Sequence, residues 1–145
     1  MEYSYKFRLY PNHEQKTQML RTFGCCRFVF NHYLACRKDL YEQSGKTANY
    51  YVRANDLTVL KKQEETSWLR EVDATALQSS LRDLDDAYQN FFRRVKHGEK
   101  PGFPRFKSKR DHRQSYKSKC VGTNIKVLDK AIQLPKLGAV KCRIS

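Results

Sequence analysis

Tyr3, Tyr5, Phe7 and Leu9 alternate with Glu2, Ser4, Lys6 and Arg8, the two-residue period of a strand with one face buried. Pro11 ends the run. A lone strand cannot satisfy its own backbone hydrogen bonds, so this one requires a partner elsewhere in the chain. Further strand patterns come only late. They are Ile125 to Leu128, a turn at Asp129-Lys130, Ala131 to Leu134, and an alternation of Val140, Cys142 and Ile144. The economical solution pairs the first strand with these late ones and makes everything between them an insertion. The last alternation stops in mid-pattern, which suggests a portion of a longer protein.

The intervening stretch has helical periodicity. Asn12 with Gln15 three residues on forms a capping-box-like start to a helix over about 13–22, and Gly24 is expected to break or kink it. A second helix is expected over about 25–43, with Phe28, Val29, Tyr33, Cys36, Leu40 and Tyr41 near helical spacing, and a third over about 51–62. Asp73 can cap the fourth. There Leu77, Leu81, Leu84, Tyr88, Phe91, Phe92 and Val95 step by threes and fours until Gly98. The opposite side carries Gln78, Arg82, Asp85, Gln89, Arg93 and Lys96. The fold class is therefore α+β: a small β-domain (1–10 and 98–145) with a bundle of about four helices (11–97) inserted into it.

With 145 residues and 39% hydrophobic content, the chain can bury one domain-sized core. Its formal net charge of +14 points to a polyanion, nucleic acid before membrane surface. No apolar run approaches the roughly 18 residues a membrane span needs, and the start lacks the apolar core of a signal peptide. A soluble, intracellular protein is expected. Cysteines 25, 26, 36, 120 and 142 form an odd set without CxxC spacing and read as reduced thiols, and the four histidines lack metal-ligand spacing.

The excess charge is concentrated. From Arg93 to Lys119 there are eleven basic residues, namely Arg93, Arg94, Lys96, Lys100, Arg105, Lys107, Lys109, Arg110, Arg113, Lys117 and Lys119, against Glu99 and Asp111. Pro101, Gly102 and Pro104 exclude regular helix there. Phe103, Phe106 and Tyr116 lie among the cations. Rings that stack on a base or sugar, beside cations that hold phosphates, are the chemistry of a nucleic-acid groove. The same rings could instead fill a local core. Gln78 and Gln89 offer amides able to read an adenine edge, or simply to be solvated.

Catalytic signals are absent. No GxSxG, P-loop or GxGxxG occurs, and Asp85-Asp86, adjacent on a helix, diverge too far to share a metal. No catalytic residue, metal ligand or cofactor is assigned to this chain.

The ordered set KFRLYPNHEQ (6–15), CRFVFNHYL (26–34), EETSWLREVD (64–73), LQSSLRDLDDAYQNFFRRVK (77–96), GFPRFKSKR (102–110) and LPKLGAVK (134–141) closely resembles the TnpB family. These are insertion-sequence proteins of the OrfB transposase type, understood as RNA-guided DNA endonucleases and related to the type V CRISPR effectors. The resemblance covers essentially the whole chain. It implies a wedge domain, a small β-barrel built from the first and later strands, with a helical recognition domain inserted. It also implies binding of a guide RNA derived from the mobile element and of target duplex DNA beside a short adjacent motif, in the bacterial or archaeal cytoplasm and at the nucleoid when bound to DNA. Family-like positions for reading that motif are Tyr50, Ala54, Ala74, Gln78, Val121 and Gly122, of which Tyr50 and Gln78 keep polar side chains. Arg93, Arg94, Lys96, Arg105, Lys107, Lys109, Arg110, Arg113 and Lys117 are assigned to nucleic-acid backbone, and Tyr50, Gln78, Phe103, Phe106 and Tyr116 to bases or stacking.

Family members continue into a RuvC-like nuclease domain with a divalent-metal triad and a four-cysteine zinc element. Neither occurs in these 145 residues, so the chain alone is expected not to cut DNA. An alternative is a stand-alone DNA- or RNA-binding regulator, with helices 13–43 as a possible helix-turn-helix.

Overall fold

The computed structural model describes residues 3–44, 50–108 and 115–144, and for residues 44, 50–55 and 144 the backbone alone. Strand β1 (Phe7–Tyr10) is followed by helices α1 (His13–Ser44) and α2 (Tyr50–Lys62) and a 310 segment (Glu64–Glu71). Helix α3 (Ala74–Lys96) comes next, and then strands β2 (Lys126–Leu128), β3 (Ala131–Leu134) and β4 (Gly138–Ile144).

The strands form one antiparallel sheet in the order β1-β4-β3-β2. The first strand thus pairs with the last, and the helices are inserted between them. The sheet is open, with β1 and β2 at its two edges, and not the closed barrel that the resemblance implies. Strands of three to seven residues in a four-membered sheet fall short of the strand number and stagger that closure needs. β1 is also shorter than its alternation suggests. Its pairing with β4 begins at Phe7 opposite Ile144, so Tyr3 and Tyr5 have no strand to pack against and are both 73% exposed.

Between β1 and α1 the capping box forms. Gln15 N–H donates to Asn12 Oδ1 (2.8 Å) and Asn12 N–H to Gln15 Oε1 (3.0 Å). The other end of the same amide, Gln15 Nε2, donates to the carbonyls of Ala139 (2.8 Å) and Leu137 (3.3 Å). One side chain therefore starts the helix and fixes it to the sheet.

Gly24 does not break the helix, and the two helices expected over 13–43 are the single helix α1. A mid-helix glycine costs about 1 kcal/mol relative to alanine, and burial of the neighbouring Thr22, Cys25 and Val29 outweighs it. Within residues 13–44 the helix has no intervening turn. The expected four-helix count survives only because the 310 segment, whose sequence has no apolar period, supplies the fourth. It is held by Thr66 Oγ1 to the Leu60 carbonyl (2.6 Å) and Trp68 Nε1 to the Glu65 carbonyl (3.0 Å), and it inserts Leu69 into the core.

Helix α3 begins and ends as its sequence suggests. Asp73 caps it by accepting from Thr75 N–H at 3.0 Å. At the other end Gly98, at φ 71°, closes a Schellman-type turn in which Glu99 N–H reaches the Arg94 carbonyl (2.9 Å). Its stripe is buried from Leu77 to Tyr88, but Phe92 and Val95 are exposed. Cross-links between α1 and α3 pair Cys26 with Ser80 (Ser80 Oγ to the Cys26 carbonyl, 2.7 Å) and Arg37 with Asp85 (3.3 Å). Numbers rise together on both helices, so the two run parallel. The core joins Val29, Tyr33 and Leu34 of α1 to Leu57 of α2, Leu69, and Leu77, Leu81 and Leu84 of α3.

Among the described residues the cysteines are free thiols. Burial, reinforced by Glu71, pushes the Cys25 thiol up to about 11, and burial, with Cys25 next, pushes Cys26 up to about 12. Their thiolates, the reactive form, are scarce at neutral pH. Timed alkylation with mass-spectrometric readout is expected to modify exposed Cys120 first and Cys25 and Cys26 only on unfolding. Leu84→Ala is expected to lower unfolding free energy by about 2–5 kcal/mol in guanidinium titration, and a loss below about 1 kcal/mol would contradict the core assignment.

Candidate nucleic-acid interface

After Gly98 the chain turns back on itself. Residues 99–108 and 115–120 have no regular structure, yet successive contacts fix their path. Phe103 meets Tyr88 (5.6 Å between ring centroids) and Phe91 (5.1 Å) edge-on. Lys107 meets Asn31, Tyr116 meets Phe23 at 5.9 Å, and Ser118 meets Asp73 and Thr75. Partners fall in number along both helices, from Lys38 to Phe23 on α1 and from Phe91 to Asp73 on α3. The described parts of the basic segment, 99–108 and 115–120, form a strap that runs antiparallel to the two helices along their seam.

Its central fastening is Asn31. Nδ2 donates to the Lys107 carbonyl at 2.8 Å while Oδ1 accepts from Lys107 N–H at 2.7 Å. The amide satisfies both backbone groups of one strap residue, as a neighbouring strand would. Lys107 Nζ lies 4.4 Å from the centre of the Phe30 ring, a cation–π contact. Further along, Lys119 N–H donates to Thr75 Oγ1 (3.0 Å) and Thr75 Oγ1 donates to Asp73 Oδ1 (2.8 Å). The cap of α3 therefore also secures the end of the strap.

These fastenings leave most of the charge outside. Arg93, Lys96, Arg105, Lys107 and Lys117 are exposed, and Arg94 is half-buried with its guanidinium beside Gly102. Lys117 carries a 3.1 Å ion pair to Asp83, but the lysine is 76% exposed, and pairs of this kind contribute at most about 1 kcal/mol. Lys109, Arg110 and Arg113 lie outside the described residues, as does the side chain of Tyr50, whose backbone begins α2.

The three aromatics divide. Lys38 Nζ, from α1, sits 5.1 Å from the ring centres of both Phe103 and Phe106, which are themselves partly exposed. A cation beside two partly exposed rings can receive a phosphate next to a base. Tyr116 is half-buried, and burial with nearby Asp73 pushes its phenol up to about 12, so it stays neutral against Phe23. Gln78 is exposed one turn beyond Thr75, on the side of α3 where the strap ends. Gln89 instead donates to Asp85 (2.8 Å), whose carboxylate also holds Arg37 over the Tyr88 ring at 4.1 Å.

Asn31 and Lys38 were not singled out from the sequence. They belong to α1, and the clamp joins residues 76 apart, a separation at which no local pattern reports contact. Among the described residues, no group of three or more His, Cys, Asp or Glu is placed to hold a metal ion, and no helix is long and apolar enough to cross a membrane.

Comparison with known proteins places the chain among relatives. Residues 1–46 match the family model of the helix-turn-helix domain of IS605-type OrfB proteins, although here they build β1 and one uninterrupted helix. The chain is 38% identical over 142 residues to InsQ of Escherichia coli (strain K12), whose name is that of a candidate RNA-guided DNA endonuclease. The match takes in 98% of this chain and 34% of InsQ. A similarly named protein of Streptomyces pristinaespiralis is 37% identical over 112 residues, 77% of this chain and 27% of that protein. The virulence protein VsdF of Salmonella dublin is 31% identical over 111 residues, 72% of this chain and 91% of VsdF. The chain thus spans about a third or less of its two endonuclease-named relatives and nearly all of VsdF. With the matched family model and this identity to InsQ over almost its whole length, the chain belongs to the OrfB/TnpB family of insertion-sequence proteins.

Proposed function

We propose that this chain is the nucleic-acid-binding part of a TnpB-like RNA-guided DNA endonuclease, holding a guide RNA from its mobile element and target DNA beside a short adjacent motif. In such a division of labour base pairing chooses the sequence, and the protein grips backbone shape. One observation carries this assignment: a strap whose inner side is fastened to α1 and α3 keeps Arg105, Lys107 and Lys117 exposed, flanked by Arg93 and Lys96 of α3. The names of InsQ and the Streptomyces relative supply the ligand class.

Arg93, Arg94, Lys96, Arg105, Lys107 and Lys117 are proposed for backbone contacts, with Lys109, Arg110 and Arg113 continuing the series. Phe103 and Phe106 are proposed for stacking on either side of Lys38, and Gln78 and Tyr50 for the adjacent motif. Tyr116 is proposed to hold the strap in place, since it is half-buried against Phe23 while Phe103 and Phe106 are more exposed. DNA cleavage and the divalent metal and zinc that go with it are assigned to a nuclease domain outside these residues. Two acids of α3 are already engaged within the chain, Asp85 by Arg37 and Gln89, and Asp83 by Lys117.

A second function, a binding module that occupies nucleic acid without a nuclease domain, is favoured by the 91% coverage of VsdF. Filter binding across a salt series separates the two. Structured RNA from the end of the element, unrelated RNA and duplex DNA are compared. Preference for the element's own RNA is expected for the guide-holding role, and preference for duplex DNA for the module. In the same assay Arg105→Ala with Lys107→Ala is expected to lower affinity and to reduce the log–log salt slope by about 1.5, the share of two phosphates. An unchanged slope would remove the strap from the interface.

A further inference from the structure

The sheet carries a second cationic surface, remote in sequence from the strap. Directly opposed residues of neighbouring strands share a face, so the registers define its rows. Arg8 of β1 stands opposite Arg143 of β4. The next row runs Tyr10, Lys141, Ala131, Leu128 across all four strands, and the third runs Ala139, Gln133, Lys126. All of these are exposed except half-buried Ala131, whereas Ile132 and Val140, opposed on the other face, are buried.

Three features of the outer face call for an explanation. The four strands contain Arg8, Lys126, Lys141 and Arg143 but no aspartate or glutamate. No ion pair to these four exists among the described residues. Like charges placed directly opposite each other, as Arg8 and Arg143 are, destabilise a strand pair. This pair also joins β1 to the sheet, where the fold depends on pairing the first strand with the last. A folding role accounts for none of this, but an anionic ligand lying across β1 and β4 does. Tyr10, 47% exposed, stands beside Lys141 in the row next to the arginines. An open ring within a patch of cations suits an unstacked nucleotide, whose base has a free face. A duplex offers no such face.

We infer that the outer face of the sheet, centred on Arg8, Tyr10, Lys141 and Arg143, binds a single-stranded stretch of RNA, with the arginines and Lys141 on phosphates and Tyr10 stacked on a base. Only the class of ligand is taken from the nucleic-acid function proposed for the chain, and the surface itself is defined by register and charge.

The test uses the full chain and a fluorescent single-stranded oligouridine, with duplex DNA as competitor. For Arg8→Gln with Arg143→Gln, the melting temperature is expected to equal or exceed that of the wild type, because the repulsion is gone. Affinity should fall, and the salt slope should drop by about 1.4, the share of two single-strand phosphates. Tyr10→Leu, which keeps charge and bulk, should weaken binding without changing the slope. Should the double variant fail to fold, Lys141→Gln is expected to lower the slope by about 0.7. Unchanged affinity and slope in the folded sheet variants would overturn the inference. If Arg105→Ala with Lys107→Ala still weakened RNA binding, the strap's role would stand without it. Loss of duplex binding alone would overturn the single-stranded occupant, and a wild-type chain that bound neither ligand would overturn both assignments.

Discussion

Asn31 satisfies both backbone groups of Lys107, and much of what makes the interface depends on where that amide stands. It reaches the strap because α1 and α3 lie side by side and the strap runs along the seam between them. The seam is set by the core, with Val29, Tyr33 and Leu34 against Leu77, Leu81 and Leu84, and by two polar ties, Ser80 to Cys26 and Arg37 to Asp85. The second tie is nearly buried, so losing either partner would strand a charge in the core. Core, seam and strap therefore form one sequence of dependence.

A segment rich in lysine and arginine repels itself and, left alone, would remain an extended solvated tail. Here neutral contacts hold it. Phe103 lies against Tyr88 and Phe91, Tyr116 lies against Phe23, and amide and hydroxyl groups bond to its backbone. Among the described residues, Arg93, Lys96, Arg105, Lys107 and Lys117 keep their side chains exposed, so their charge is open to an external polyanion. Prior ordering of this kind lowers the entropy that binding must overcome. The sheet follows the same principle in a different form, with β-pairing in place of the clamp and Tyr10 in place of the strap aromatics.

Much of this was legible in the sequence. The α3 stripe, its Asp73 cap and Gly98 stop, the capping box at Asn12 and Gln15, and the pairing of the first strand with the last all follow from local pattern or from the need to satisfy a lone strand. Gly24 misled because helix propensity is a weak term that packing overrides. The 310 segment was invisible because Glu64, Glu65, Thr66 and Ser67 show no period, and only Leu69 enters the core. Closure of the sheet belonged to the family resemblance, not to the strands of this chain. Within the interface, composition located the cations. The fastening by Asn31 and the seat of Lys38 between Phe103 and Phe106 arise from tertiary contact across many residues, and they became visible only in the fold.

The central claim is that the strap binds through the arrangement of its charges and not through their number. Asn31→Leu tests it most directly, since it removes the clamp while leaving every charge in place. Its affinity for structured RNA, measured beside the wild type at one salt concentration, is expected to fall about tenfold, the factor that corresponds to about 1.4 kcal/mol and lies within reach of two lost hydrogen bonds. Affinity equal to the wild type would mean that the charge of the segment suffices without its geometry, and would contradict the account.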